Sequence, residues 1–185
     1  MVAERTGPRR WVVTGPRRAG KTSFCRHLAE QACSAGWDVA GVVSLPYLEG
    51  ARKTGIQALD LRSGESRLLA SNRPSTGAGL HFCNWHFCKA VLEWANGVLQ
   101  NASPCDLLIV DEIGALELKA GGGFTAALPI LAVGRYRCAV AAVRMELEQN
   151  MRALWPDSSS IRISTPEEAA RQAEALLAEM SCFRQ

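Results

Sequence analysis

Gly15–Ser23, GPRRAGKTS, lies directly behind the apolar run WVVT at 11–14, and the fold turns on how it is read. The segment satisfies G-x-x-x-x-G-K-[ST] through Gly15, Pro16, Arg17, Arg18, Ala19, Gly20, Lys21 and Thr22, with Ser23 next in line. Before it stands a β-branched run ending in glycine, the pattern of a strand entering a turn. Behind it, KTSFCRHLAEQACSAG repeats Phe24, Leu28, Ala32 and Ala35 at helical spacing until Gly36 closes the pattern. Strand, glycine loop and helix in that order are the context in which this motif cradles phosphate. Glycine at both ends lets the backbone curl so that successive N–H groups point inward, and the helix start adds the positive end of its dipole. Lys21 would then span the β and γ phosphates, and Thr22 would offer its hydroxyl to Mg²⁺. The bland alternative is a glycine turn capping an ordinary helix. Lys21 is one of only four lysines in an arginine-rich chain, which counts against a chance match.

Working outward, WDVAGVVSLP reads as a second strand stopped by Pro46, and TGIQALDLRSGESRLLAS as a strand hairpin turning at Arg62-Ser63-Gly64. After a polar loop at 72–79, NWHFCKAVLEWANGVLQNA sets Phe87, Val91, Trp94, Ala95 and Val98 on one helical face. CDLLIVDEIG has the run of a strand buried on both faces and ends in two carboxylates. FTAALPILAVG predicts a helix bent or shortened by Pro129, CAVAAV another buried strand, MELEQNMRALW a short helix and SIRIS a last strand. In TPEEAARQAEALLAEM, Thr165 and Glu168 form a capping box, Pro166 takes the first helical position, and Ala169, Ala173, Leu176, Leu177 and Met180 make an apolar stripe. Strands alternating with helices predict an α/β fold of the RecA-like or Rossmann-like P-loop kind. Its sheet is expected to be mostly parallel with helices on both faces, and the segment from Gly50 to Ser71 to be a small antiparallel hairpin insertion.

At 185 residues the chain suits one domain, residues 1–185, and is too short for two ordinary ones. Its 48% hydrophobic and 21% charged residues place it among globular chains and away from disordered ones. A net charge of +3, with basic residues scattered apart from short pairs such as Arg9-Arg10 and Arg17-Arg18, is weak support for a nucleic-acid footprint. No apolar stretch is long enough to span a membrane, and MVAERTGPRR lacks the apolar core of a signal peptide, so a cytoplasmic monomer is expected. Cys25, Cys33, Cys83, Cys88, Cys105, Cys138 and Cys182 are odd in number and contain no CxxC pair. In a reducing compartment they read as small buried hydrophobes.

A P-loop alone binds phosphate, and hydrolysis needs a second site. LLIVDE supplies it: Asp111, at the carboxyl end of a buried strand, falls where a Mg²⁺-holding acid belongs, and Glu112 is placed to orient or deprotonate water. Two solvated carboxylates ending a strand are the plainer alternative. GPRRAGKTS, GARKTGIQALDL and VDEIGALE together resemble the THEP-type, or cancer-related, nucleoside-triphosphatase family over nearly the whole chain. The family's D-E-I-G-x-x-E segment is matched by Asp111, Glu112, Ile113, Gly114 and Glu117. Its basic pair before glycine is matched by Arg52, Lys53 and Gly55, with Ile56 where the family has an aromatic. The resemblance implies a compact P-loop domain that hydrolyses ATP, GTP and other nucleoside triphosphates with Mg²⁺ and tolerates different bases. Lys21 and Glu112 would be catalytic. The nucleotide would be held by Gly15 to Ser23 with Asp111, Glu112, Ile113 and Gly114, and Mg²⁺ by Thr22 and Asp111.

Arg17 and Arg18 depart from the family's small residues. One of them could act as an arginine finger in cis, or both could face solvent and favour anion approach. Arg144, just past CAVAAV, could sense the γ phosphate or be a surface arginine. Glu117 could sit behind the reacting groups or be an exposed helix residue. His81, Cys83, His86 and Cys88 in HFCNWHFC have metal-ligand chemistry without a standard zinc spacing, so core packing is the expectation. A small-molecule or nucleotide kinase is the runner-up function, with Arg135, Arg137, Arg144 and Arg152 as a closing lid, and a non-catalytic nucleotide switch is the third.

Overall fold

A computed structural model describes residues 7–73 and 79–182, so the central part of the expected polar loop at 72–79 lies outside the described residues. The elements are β1 (Arg9–Thr14), α1 (Lys21–Ser34), β2 (Val39–Glu49), β3 (Arg52–Asp60), β4 (Ser66–Ser71), β5 (Gly79–Phe82), β6 (Trp85–Cys88) and α2 (Lys89–Gln100). They continue as β7 (Cys105–Ile113), α3 (Ala115–Lys119), α4 (Ala127–Val133), β8 (Tyr136–Val143), α5 (Glu148–Leu154), β9 (Ser159–Arg162) and α6 (Pro166–Ser181). One sheet runs in the order β5-β6-β4-β3-β2-β7-β8-β1-β9.

The half from β2 to β9 is parallel and covered on both faces. Alternation along its strands sorts the side chains into two cores. Val12, Val42, Leu108, Val110 and Ala141 pack with Ala95 and Leu99 of α2, Leu131 of α4 and Met151 of α5. Trp11, Val13, Leu107, Ile109 and Val140 pack with Phe24 and Leu28 of α1 and Ala173 and Leu176 of α6. Leu28 is fully buried, so its truncation to alanine would cost roughly 2–5 kcal/mol. α6 starts as its sequence predicts, with Thr165 Oγ1 accepting the Glu168 N–H at 3.3 Å. The Glu168 carboxylate reaches back one residue further than a capping box requires, accepting the Ser164 N–H at 2.9 Å.

The sheet is mixed rather than mostly parallel. β3, β4, β6 and β5 continue it antiparallel, so the strands at 52–71 extend the same sheet in place of decorating it. β2 does not stop at Pro46. Beyond Val42 its ladder with β7 ends and β3 is its partner, a one-sided setting in which a strand tolerates proline. The helix expected from Asn84 begins only at Lys89, because the aromatic-rich Trp85–Cys88 pairs with β4 and β5 as a strand. Cys25 and Cys138 are buried as expected, but Cys33, Cys83, Cys88 and Cys182 are exposed, on outer helix faces and at the β5–β6 edge; all seven are free thiols. Among the described residues no helix is long and apolar enough to cross a membrane.

Candidate functional site

β1 ends in the middle of the parallel half, between β8 and β9, and delivers the loop at 15–20 to the carboxyl edge of the sheet. Parallel α/β sheets place ligands at this edge. The loop is backed by the chain leading into α6. A Cβ on Gly15 would run into the carbonyl oxygen of Ile163, and one on Gly20, which has φ +102°, would come within 3.0 Å of Pro166 Cα. Only glycine suits both positions. Within the loop the Ala19 N–H donates to the Pro16 carbonyl at 3.3 Å, and the Phe24 N–H donates to Gly20 at 2.8 Å as α1 begins. Lys21 Nζ folds back over the loop, donating to the Gly15 carbonyl at 2.8 Å and the Pro16 carbonyl at 3.0 Å. Partial burial pushes its pKa down, the Asp111 and Glu112 carboxylates pull it up, and the Arg144 guanidinium pushes it down further.

Gly15, Pro16, Arg17, Lys21, Arg144, Met145 and Glu146 line a cleft of about 490 Å³. Arg17 therefore faces the cleft. Arg18 is exposed with φ +64°, Ala19 is buried against the core, and Ser23 is exposed on the first turn of α1. A second cleft, about 430 Å³, lies around Arg62 and Trp94. The Arg62 guanidinium there is occupied by the Asp38 carboxylate and the carbonyls of Asn101, Ala102 and Pro104, so it acts as a clamp between chain segments.

β7 brings the carboxylates. Asp111 is almost fully buried and accepts the Ser44 N–H of β2 at 3.3 Å, and the Thr22 hydroxyl of α1 favours its charged form. Burial first, and Glu112 second, push its pKa up to about 7 against the opposing pull of Thr22, Ser44 and Lys21. A buried carboxylate and a hydroxyl beside the glycine loop are an all-oxygen donor set. It fits Mg²⁺, which binds through one or two carboxylates and the substrate's own phosphates. Among the described residues no three His, Cys, Asp or Glu side chains group closely enough to hold a metal by themselves, so no protein-only cage competes with this pair.

At Glu112 the β7–β8 register shifts, and φ turns to +65°, a left-handed conformation uncommon for a residue with a Cβ. Its carboxylate is partly exposed, with Oε1 3.7 Å from Arg144 Nη2. Ile113 is buried in the apolar core, and the Gly114 amide is taken by Glu117, so neither lines the cleft. Glu117 is neither exposed nor idle. Its Oε2 accepts the Gly114 N–H at 2.8 Å and its Oε1 the Phe124 N–H at 3.0 Å, and burial raises its pKa.

Lys21, Thr22, Asp111, Glu112 and Arg144 thus meet at one edge of the sheet. Gly15, Pro16 and Arg17 line the cleft there, whereas the groups expected of an arginine lid or a metal cluster do not come together. Arg135 and Arg137 lie at the opposite end of β8 from Arg144, and Arg137 pairs with Asp106 at 3.1 Å, so the four arginines form no common lid. His81 and His86 face each other across the β5–β6 hairpin with ring centroids 4.5 Å apart, while Cys83 and Cys88 are exposed. Lys53 stacks on Trp85, with 5.4 Å from Nζ to the ring centroid. Ser44 and Glu146 went unread in the sequence. The signal for Ser44 was a hydroxyl residue inside the buried run VVSL; for Glu146 it was the position just after a central parallel strand.

A family profile described as NTPase matches residues 10–153. A protein of Ignicoccus hospitalis called nucleoside-triphosphatase THEP1 is 30% identical over 145 residues, 77% of this chain and 80% of the relative. One of the same name from Thermofilum pendens is 27% identical over 178 residues, covering 91% and 97%. The solution structure of a human cancer-related nucleoside triphosphatase superposes with a TM-score of 0.73 over 96% of this chain and 100% of the other, at 22% identity, a likeness of fold.

Proposed function

Because this chain belongs to the THEP-type nucleoside-triphosphatase family, we propose that it hydrolyses nucleoside triphosphates to the diphosphate and phosphate with Mg²⁺. The observation that carries this reading is Lys21, held over the loop by the carbonyls of Gly15 and Pro16 and facing the carboxylates of Asp111 and Glu112. A cation so placed has little to do in a structural turn. It is positioned for an anion that enters between the loop and the strand ends.

The loop amides and Lys21 would bind the β and γ phosphates, with Lys21 exchanging backbone carbonyls for charged oxygens. Thr22 and Asp111 would hold Mg²⁺, and when bound the ion neutralises charge on the phosphate oxygens. Glu112 would orient a water and accept its proton as the water oxygen forms its bond to the γ phosphorus. The bond from that phosphorus to the bridging oxygen breaks, and the electron pair leaves with the nucleoside diphosphate. The cleft is lined by loop and charged groups, which suits recognition through phosphates and tolerance of the base.

The test is phosphate release from Mg·ATP and Mg·GTP, with and without candidate acceptors. Release into water alone is expected. Transfer that appears only with an acceptor would make the protein a kinase, and binding without release would make it a switch.

A further inference from the structure

Arg17, Arg144 and Glu146 are charged residues of the cleft to which the proposed hydrolysis assigns no role, and of these Arg144 faces Glu112. β8 lies between β7 and β1, pairing Val143 with Ile113 on one side and Ala142 with Val13 on the other. The next residue in the chain therefore emerges between Glu112, at the end of β7, and the loop that begins at Gly15. The turn that follows is closed by the Leu147 N–H donating to the Arg144 carbonyl at 2.9 Å, which fixes the backbone from which the guanidinium extends. Arg144 lines the same cleft as Lys21, and its charge is felt at Lys21.

The partner of Arg144 decides what it can do. Nη2 stands 3.7 Å from Glu112 Oε1, an ion pair beyond hydrogen-bond length, with the two side chains 43% and 38% exposed. A pair this open is weak. A guanidinium is a planar fork whose two N–H groups can grip two oxygens at once, and a terminal phosphate offers such a pair with more negative charge than a carboxylate. Lys21 and Arg144 also repel each other across the cleft until an anion comes between them.

We propose that Arg144 is a γ-phosphate switch: it pairs with Glu112 and, when a triphosphate enters, exchanges that carboxylate for the γ-phosphate oxygens. The exchange leaves Glu112 facing the water that it is to activate, so base release and transition-state charge are coupled through one side chain. A diphosphate lacks the group that draws Arg144 away, and Glu112 stays paired. The inference rests on the nucleoside-triphosphatase reading and adds to it a device that distinguishes triphosphate from diphosphate.

The experiment measures binding of ATP and ADP, each with Mg²⁺, to the parent, Arg144→Ala, Arg144→Lys, Glu112→Gln and the Glu112→Gln/Arg144→Ala double variant. Single-turnover hydrolysis is followed on the same preparations. Arg144→Ala should weaken ATP binding about 10-fold or more and leave ADP binding within about 3-fold, with hydrolysis down at least about 100-fold. Arg144→Lys keeps a charge without the fork and should recover part of the ATP preference but little of the rate. Glu112→Gln should tighten ATP binding about 2- to 5-fold, because Arg144 no longer has to leave a carboxylate, and the gain should vanish in the double variant. An ATP-to-ADP affinity ratio unchanged in Arg144→Ala overturns the switch while leaving the nucleoside-triphosphatase reading intact. The same gain from Glu112→Gln with and without Arg144 also overturns it. A parent that binds neither nucleotide overturns both.

Discussion

The Asp111 carboxyl at the end of β7 accepts the Ser44 N–H of β2 at 3.3 Å, and the Thr22 hydroxyl on the first turn of α1 acts on the same carboxyl in favour of its charged form. With a folded pKa of about 7 and an unfolded value of about 3.9, Asp111 keeps its proton in the fold where the open chain has lost it. Its contribution to stability is fully present below about pH 4 and lost as pH rises through about 7. Asp111→Asn keeps the shape and removes the charge. In EDTA it should melt later than the parent at pH 8, by about 1 kcal/mol or more, with a smaller gap at pH 5. Mg²⁺ should stabilise the parent but not the variant. An equal gap at both pH values, or a retained Mg²⁺ response, would put the metal carboxylate elsewhere.

Lys21→Ala should fold, since the Gly15 and Pro16 carbonyls that lose their donor line an open cleft and can turn to water. Triphosphate affinity should fall by roughly 100-fold, the worth of two charge-assisted hydrogen bonds. Calorimetric titration with ATP decides it, and parent-like affinity would remove the loop from the nucleotide site.

What the sequence shows and what it hides divide along the range of the interactions. Gly15 to Thr22, the helix behind it and the strand ending at Asp111 are legible because each is a local pattern: glycine spacing, a helical period, a continuous apolar run. The four residues from Trp85 to Cys88 are misread as helix because their strand character depends on pairing with β4 and β5, which no local period reports. The same holds for the antiparallel half of the sheet. Lys21, Asp111 and Glu112 carry motifs, so they are found early. Glu117 belongs to the D-E-I-G-x-x-E segment, but its hold on two backbone N–H groups is not written there; Ser44 and the Arg144–Glu112 pair carry no motif and come to the site through the positions of β2 and β8.

Glu117 holds two backbone N–H groups, and one belongs to Gly114, two residues beyond Glu112. Glu117→Ala would orphan both, at roughly 1–3 kcal/mol each, and release the turn that keeps Glu112 at φ +65°. Glu117→Gln keeps an acceptor for only one. A graded loss is expected, with melting temperature and turnover falling from parent to glutamine to alanine while ATP affinity changes little, since Glu117 does not line the cleft. Parent-like turnover in a destabilised Glu117→Ala would show that the turn supports the fold and not the reaction.

Glu112 is where binding and hydrolysis should come apart. Its carboxylate is partly exposed beside Arg144, a residue of the cleft, while the buried acid that would hold metal is its neighbour Asp111. Glu112→Gln preserves size and most hydrogen bonds but cannot take a proton from water. ATP should therefore bind at least as tightly as to the parent, and single-turnover hydrolysis should slow by roughly 100-fold or more, the usual contribution of a general base. Both are read on one preparation, so misfolding cannot imitate the result: a misfolded protein would lose binding with rate. A surviving rate would pass the role of base to another group or to the substrate's own phosphate. Loss of binding together with rate would place Glu112 among the groups that hold the metal or the phosphates.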